Sequence, residues 1–175
     1  MAHPAGSPAA RRDHWDQVYA SRGQRQVSWY EPDPRLSAAL VTDAAASLPA
    51  GRDSAVIDAG GGASLLAQRL TSTGFTDVTV LDVSAAALAA DRAAYLATMR
   101  AALPGGGAVI LAAFAADGPE YCSGLPVARY DPAGLAAELT AAYGDAVTIT
   151  GHHAEQHRTP AGAIQPFTWL TARLS

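Results

Sequence analysis

The chain has 175 residues, of which 49% are hydrophobic and 16% are charged, and its formal net charge is −4. This balance excludes a disordered polymer and predicts a soluble domain with a core of its own. The negative net charge argues against nucleic acid or an anionic membrane as the main partner. All twelve basic residues are arginine, which excludes chemistry that needs a lysine, such as a Schiff base or a P-loop.

Cysteine usage and hydropathy predict a cytoplasmic protein. The single cysteine, Cys122, excludes an internal disulfide and a cysteine-based zinc cluster and fits a reducing compartment. No apolar run reaches the ~20 residues needed to cross a bilayer. We expect residues 1–12 to form a disordered tail and residues 13–175 to form a single domain.

The first half of the domain predicts helices alternating with buried strands. An aromatic loop, VSWYEPDP, precedes a helix that we expect to start at Asp33 and Pro34, a capping acid followed by a proline at the first helical position. Apolar runs and turn residues predict four further elements: helices over residues 13–20 and 64–72, and strands over residues 54–58 and 77–83.

The second half predicts one long helix, a third buried strand, and a helix followed by two strands. A second helix is predicted to start with a capping acid, Asp131, followed by Pro132 at the first helical position, and to end at Gly144. The long Gly/Pro loop before it is of a kind that is often functional in compact domains. The remaining predicted elements are a helix over residues 85–103, strands over residues 108–114, 146–153 and 166–173, and the loop over residues 115–130.

The segment DAGGGAS, between the first predicted strand and a helix, is the motif that carries chemistry. Glycines in such a turn let the backbone approach a ligand closely, and the helix beyond them offers free N–H groups. Asp82 follows Gly60 by twenty-two residues, at the end of the next strand, where an acid can accept both hydroxyls of a ribose. These features predict a site for an adenosine-containing ligand.

Two cofactors fit that description unequally. A dinucleotide fingerprint needs a third glycine, and Leu65 occupies its position. Asp58 lies just before the glycines, where a pyrophosphate would meet an unfavourable negative charge. S-adenosylmethionine carries an amino group and a sulfonium instead of phosphate, so an acid at Asp58 favours it. NAD remains the alternative.

Three stretches of the chain resemble the class I S-adenosylmethionine-dependent methyltransferases: VIDAGGGAS, VTVLDVS and LPGGGAVILAAFA. Three further stretches are similar to a bacterial branch of this family, which is related to the eukaryotic lysine methyltransferases of citrate synthase and an elongation factor. They are HWDQVYASRGQRQVSWYEPDP, DGPEYCSGLPVARYD and EQHRTPAGAIQPFTW. The resemblance spans His14 to Leu174. It implies a Rossmann-like fold and methyl transfer from S-adenosylmethionine to a small molecule or a protein side chain.

The resemblance also implies a set of cofactor-binding residues. The acid and glycines after the first strand line the methionine half of the cofactor, and the end of the second strand holds the ribose and packs beside the adenine. Three aromatic residues cover the site, where a sulfonium is attracted by aromatic faces; capping of the core is the alternative role for each. The set is Asp58, Gly60, Gly61, Gly62, Asp82, Val83, Trp15, Trp29 and Tyr30.

The chain departs from the family between Asp82 and Leu103. The resemblance implies a sheet of order 3-2-1-4-5-7-6, but this stretch has one helix and no room for a βαβ unit of ~30 residues. We therefore predict a reduced five-stranded α/β sheet of order 2-1-5-7-6, the last strand antiparallel, with helices on both faces. The strand of Asp58 is then expected to pair with that of Leu111 through a right-handed crossover. Such a reduced sheet is also expected to expose apolar surface, so a homodimer is possible.

No catalytic residue follows from the sequence, and no metal site is predicted because His152 and His153 are adjacent and point to opposite faces of a strand. An inactive relic that still binds the cofactor is therefore a further alternative, as is an NAD-binding oxidoreductase. Polar candidates near the expected site are Asp117, Tyr121, Cys122, His152, His153, Glu155, His157 and His14.

Overall fold

The computed structural model describes residues 14, 17, 18, 21, 25–61, 64–81 and 92–175. These residues form a mixed α/β structure. Its helices are α1 (Arg35–Ala46), α2 (Leu66–Ser72), α3 (Arg92–Ala102) and α4 (Pro132–Tyr143). Its strands are β1 (Val56–Ala59), β2 (Val78–Leu81), β3 (Gly107–Ala115), β4 (Tyr121–Cys122), β5 (Leu125–Pro126), β6 (Arg129–Tyr130), β7 (Val147–Arg158) and β8 (Ile164–Leu174). No helix within the described ranges is long and apolar enough to cross a membrane.

Four strands form a mixed sheet of order β6-β3-β8-β7. β8 runs antiparallel to both β3 and β7, whereas β6 pairs in parallel with only the last two residues of β3, Phe114 and Ala115. The last strand therefore lies between the other two long strands and runs against them. The 5-7-6 part of the predicted strand order is thus confirmed.

β1 and β2 form a separate parallel pair, in register from Val56 with Val78 to Ala59 with Leu81. This confirms the predicted neighbourhood of the first two strands. The predicted pairing of β1 with β3 is wrong for the described residues, and so is the single five-stranded sheet. The carboxyl end of the β3 edge that β1 was expected to join is already paired with β6, whose Arg129 side chain donates to the carbonyl of Gly118.

Two clusters of buried apolar side chains correspond to these two units. The larger one fills one face of the four-stranded sheet beneath α3 and α4, and the smaller one joins α1 and α2 to β1 and β2. The two clusters have no buried residue in common. Their buried members are Leu96, Val109, Leu135, Leu139, Leu170, Ala172 and Leu174 in the first, and Ala38, Ala45, Leu70 and Phe75 in the second.

The helix starts show one confirmed cap and one correction. Asp131 caps α4, because its carboxylate accepts from the N–H of Gly134 at 2.7 Å and Pro132 follows at the first helical position. α1 has no such cap: it begins at Arg35 after Pro34 without a side-chain hydrogen bond. The carboxylate of Asp33 is instead engaged by two arginines.

α1 also connects the two units. It packs on β1 and β2 through the smaller cluster, and its carboxyl end is held to the large sheet by Arg173. The guanidinium of Arg173 donates to the carbonyl of Ser47 at 2.5 Å and also contacts the hydroxyl of Ser47. Because side chains alternate along β8, Arg173 lies on the face opposite Leu174. Helices therefore contact the large sheet from both sides.

Candidate functional site

The turn after β1 brings a carboxylate against two glycines. Asp58 is the third residue of β1 and is half-buried, on the same face of the strand as Val56. Gly60 has a φ of +85°, a conformation that L side chains rarely adopt. Gly61 is buried, and a Cβ at this position would overlap the carboxylate of Asp58. The glycines thus let the backbone fold back against the acid.

The start of α2 completes this turn. The N–H of Ser64 donates to the carbonyl of Gly61 at 2.7 Å, and the hydroxyl of Ser64 accepts from the N–H of Leu66 at 3.1 Å. The chain therefore passes from β1, which ends at Ala59, to α2, which begins at Leu66. The helix predicted over residues 64–72 thus begins two residues later than expected.

The carboxylate of Asp58 has an unusual electrostatic environment. Burial raises its pKa, because the surrounding protein replaces water that would solvate the charge. Among the described residues, none donates a hydrogen bond to it or forms an ion pair with it. A cation placed beside such a carboxylate favours its ionised form. The position therefore suits a positively charged ligand group and disfavours a phosphate.

The predicted cofactor-binding residues divide into two groups. Asp58, Gly60 and Gly61 are described and lie together in the turn after β1. The others in the turn and on the second strand, Gly62, Asp82 and Val83, lie outside the described residues, as does Trp15. The ribose and adenine contacts assigned to Asp82 and Val83 therefore stay predictions.

Residues 25–34 form a segment, called the aromatic segment below, that contacts α2 near its carboxyl end and β7 in its middle. Trp29 and Tyr30 are half-buried within it, and Val27 anchors it with 1% of its surface exposed. At its carboxyl end, Asp33 accepts from Arg35 and from Arg69 of α2. The hydrogen bond from Arg35 and then the charge of Arg69 lower the pKa of Asp33. This end of the segment is thereby fixed to the helix that follows the glycine turn.

The middle of the aromatic segment contacts the carboxyl end of β7. Nε2 of His157 donates to the carbonyl of Ser28 at 2.8 Å; since a carbonyl can only accept, Nε2 carries the hydrogen. His157 is only 7% exposed and meets the ring of Phe167 edge-on at 6.1 Å. Phe167 in turn stacks on Phe114 with ring centroids 4.6 Å apart. The imidazole is thus held between an aromatic pair and the segment.

Two glutamates accompany this imidazole. Glu155 accepts from Nε1 of Trp169 at 2.7 Å. Burial, followed by the charge of Glu155, raises the pKa of Glu31 in the aromatic segment, while His157 lowers it to a smaller extent. The sequence named Glu155 and His157 only as polar candidates and missed Glu31. Period-two alternation along β7, which places residues 153, 155 and 157 on one face, is the signal that groups the first two.

The other polar candidates are dispersed. His152, His153 and Asp117 are exposed, and Tyr121 is exposed at a hairpin. Cys122 is half-buried, with its Sγ 3.9 Å from the hydroxyl of Ser28. Within the part of the chain that the structure describes, no group of three or more His, Cys, Asp or Glu side chains is arranged to hold a metal ion.

Comparisons with models of protein families, with curated proteins and with solved structures find no match to this chain.

Proposed function

We propose that the protein binds S-adenosylmethionine at the turn after β1 and transfers the methyl group to a small molecule or a protein side chain. One observation carries the proposal: a half-buried carboxylate, Asp58, is packed on Gly61 at the carboxyl end of a parallel strand. A ligand bound there would meet a desolvated carboxylate. The amino group and sulfonium of the methyl donor match that charge.

The same observation weighs against a dinucleotide. A pyrophosphate binds well at a helix N-terminus only when nothing negative competes for the position. The carboxylate of Asp58 lies against Gly61 in the turn after β1, and burial disfavours its ionised form even without a second negative charge nearby. A bound pyrophosphate would raise the pKa of Asp58 further. NAD is therefore the weaker candidate.

In this proposal β1 and β2 would supply the cofactor edge of a reduced Rossmann-like fold, and β3, β8 and β7 would supply the half that borders the methyl acceptor. The aromatic segment contacts α2 through Asp33 and Arg69, and it contacts β7 through Ser28 and His157. These contacts support a role for the segment as a cover that would shield the ligand from water.

S-adenosylmethionine would supply a methyl group on a sulfonium, which a lone pair of the acceptor could displace, leaving the electron pair of the carbon–sulfur bond on sulfur. The cofactor supplies an already activated methyl group, so the protein has mainly to align the reacting atoms and exclude water. Asp58 would orient the cationic end of the donor. Trp29 and Tyr30 would cover it, and an acceptor that carries a proton would lose it to solvent or to a base.

A cofactor-binding protein without turnover is the second candidate. The lack of pairing between β1 and β3 in the described residues favours it, because methyl transfer needs the acceptor aligned with the cofactor and no strand pairing there fixes the two units in such an alignment. Binding with no methyl transfer to any offered acceptor would support this candidate.

Isothermal titration calorimetry with S-adenosylmethionine, S-adenosylhomocysteine and NAD tests the proposal. We expect the first two to bind and NAD not to bind. Asp58→Asn should weaken binding of both at least tenfold, with the larger loss for the cationic S-adenosylmethionine. Asp77→Asn, which changes an exposed acid at the opposite end of the same strand pair, should leave binding unchanged. Tight NAD binding, or equal affinities in wild type and Asp58→Asn, would refute the proposal.

A further inference from the structure

Two hydrogen bonds hold the small unit on the large one. Here the small unit is α1, α2, β1 and β2 with the aromatic segment that leads into α1, and the large unit is the four-stranded sheet with α3 and α4. Arg173 of β8 donates to the carbonyl of Ser47 at the end of α1. His157 of β7 donates to the carbonyl of Ser28 in the aromatic segment at 2.8 Å.

These two holding points lie on the same face of the sheet, at opposite ends of β7. Side chains alternate along β8, so Gln165 and Arg173 share a face. His157 pairs with Gln165, and Thr148 pairs with Arg173. His157 follows Thr148 by nine positions, which is about 30 Å of strand at ~3.4 Å per residue. The small unit is therefore held at two well-separated places.

We propose that His157 is a positioning residue, whose bond to Ser28 fixes the orientation of the small unit on the sheet. With Arg173 alone, the small unit could pivot about one point, because β1 and β3 are not paired in the described residues. A second point about 30 Å away removes that freedom. The orientation itself requires only these contacts. Its purpose, bringing a methyl acceptor to the cofactor, rests on the proposed function.

The bond from His157 reaches a well-fixed part of the aromatic segment. The N–H of Tyr30 donates to the carbonyl of Val27 at 3.1 Å, so Ser28 and Trp29 are the central residues of a tight turn. Val27 has only 1% of its surface exposed and anchors the turn. The carbonyl of Ser28 therefore cannot move without moving the whole turn.

The rest of the segment carries this restraint to the helices of the small unit. Asp33 follows Ser28 by five residues, a length of chain that spans about 18 Å at most. Asp33 accepts from Arg69 of α2, and the segment continues directly into α1 at Arg35. A turn held by β7 thus restrains both helices through a short tether.

Burial makes the bond of His157 the stronger of the segment's two attachments. His157 is 7% exposed, and its ring meets Phe167 edge-on at 6.1 Å. Loss of a buried donor leaves its acceptor without a partner, whereas an exposed ion pair such as that of Asp33 with Arg69 contributes little. Nε2 carries a hydrogen in both protonation states that can make this bond, so this nitrogen is a holding group and is not available as a base.

Pulsed electron double resonance between two spin labels tests the proposal. The labels are attached to Gln68→Cys on α2 and Ala137→Cys on α4, exposed positions of the two units, in a Cys122→Ser background. We expect a broader distance distribution in His157→Phe, which keeps an aromatic ring and loses the donor. His157→Gln, whose amide can donate in place of Nε2, should stay as narrow as the parent. His153→Phe, at an exposed histidine of the same strand, should also match the parent.

Thiol reactivity gives a second measurement on the protein without added cysteines. Sγ of Cys122 lies 3.9 Å from the hydroxyl of Ser28, so the turn shields the single thiol of the chain. Loss of a buried hydrogen-bond partner changes an equilibrium by about fivefold or more. We expect the thiol to react with a maleimide at least about fivefold faster in His157→Phe than in wild type, and His157→Gln to stay close to wild type.

Three results would overturn the positioning role. They are a distance distribution in His157→Phe as narrow as that of the parent, an unchanged thiol rate in that variant, and a His157→Gln variant that behaves like His157→Phe. The last would mean that the packing of the ring, and not the bond, holds the segment. His157→Met, which also lacks the donor, takes the place of His157→Phe if thermal melts show that the latter does not fold.

Calorimetric titration of wild type with S-adenosylhomocysteine separates this role from the proposed function. If His157→Phe broadens the distance distribution and wild type does not bind S-adenosylhomocysteine, the positioning role stands and the proposed function fails. If wild type binds S-adenosylhomocysteine and the distribution of His157→Phe is unchanged, the proposed function stands and the positioning role fails.

Discussion

Leu70→Ala and Leu139→Ala should destabilise different parts of this protein. Leu70 has no exposed surface and lies in the smaller cluster, whereas Leu139 is 1% exposed and lies in the larger one. A buried leucine truncated to alanine costs about 2–5 kcal/mol, and more when the surroundings cannot close the cavity. Two neighbours of Leu70, Ala38 and Ala45, have no side-chain rotamers with which to fill it.

We therefore expect Leu70→Ala to cost about 3 kcal/mol or more, a change of about 150-fold in an opening equilibrium. Native-state hydrogen exchange measures where that change occurs. Amides of β1 and β2 should exchange about 150-fold faster in Leu70→Ala, while those of β7 and β8 keep their wild-type rates. Leu139→Ala should give the reverse pattern. If either variant speeds exchange equally in both sheets, the two clusters form one cooperative unit and the prediction of independent opening is wrong.

Three further outcomes are expected. Asp131→Ala should lower the free energy of unfolding by about 1 kcal/mol in urea titration, while Asp131→Asn, which keeps an accepting oxygen, should stay close to wild type. Gly106→Ala should lose about 1–3 kcal/mol in thermal melts, because φ is +82° and the new Cβ would lie 2.6 Å from the carbonyl oxygen of Leu174; Gly105→Ala, with open space around it, should change little. A cation bound beside Asp58 lowers the raised pKa of that carboxyl, so S-adenosylmethionine should bind more tightly as pH rises and should release protons on binding. Calorimetry in buffers of different ionisation enthalpy measures that proton release. An affinity that does not change with pH would contradict the prediction.

Strand neighbourhoods that depend on local patterns were predictable from the sequence. Short β-branched runs between turn residues identified β1 and β2, and the cap of Asp131 with Pro132 identified the start of α4. β7 was predicted to stop near residue 153 but continues to Arg158. Its second half is polar because much of it faces solvent, so it lacks the apolar run that indicates a buried strand.

The continuity of the sheet could not be predicted in the same way. Whether β1 joins β3 depends on what else competes for that edge, and the competitor lies in the loop over residues 115–130. That loop forms the hairpin of β4 and β5 and then β6. The dipeptide Ser123-Gly124, with φ values of +50° and +82°, is the two-residue turn signal that could have revealed the hairpin.

The candidate site shows the same division between local and distant information. Asp58 and the glycines come from seven consecutive residues, DAGGGAS, and the turn that they form is local. The contact between the aromatic segment and β7 depends on a hydrogen bond between Ser28 and His157, which are 129 positions apart. No sequence pattern within either segment identifies the other as its partner, so this contact could be found only from the folded structure.

The separate cores have a consequence for how this chain tolerates changes in length. The described members of the smaller cluster all precede Thr79 in the chain, and those of the larger cluster all follow Tyr95. An insertion or deletion between these two positions would alter the spacing of the two units while keeping every one of these described members. Lineages that gain or lose whole strands at this point would therefore keep the packing residues described for both units.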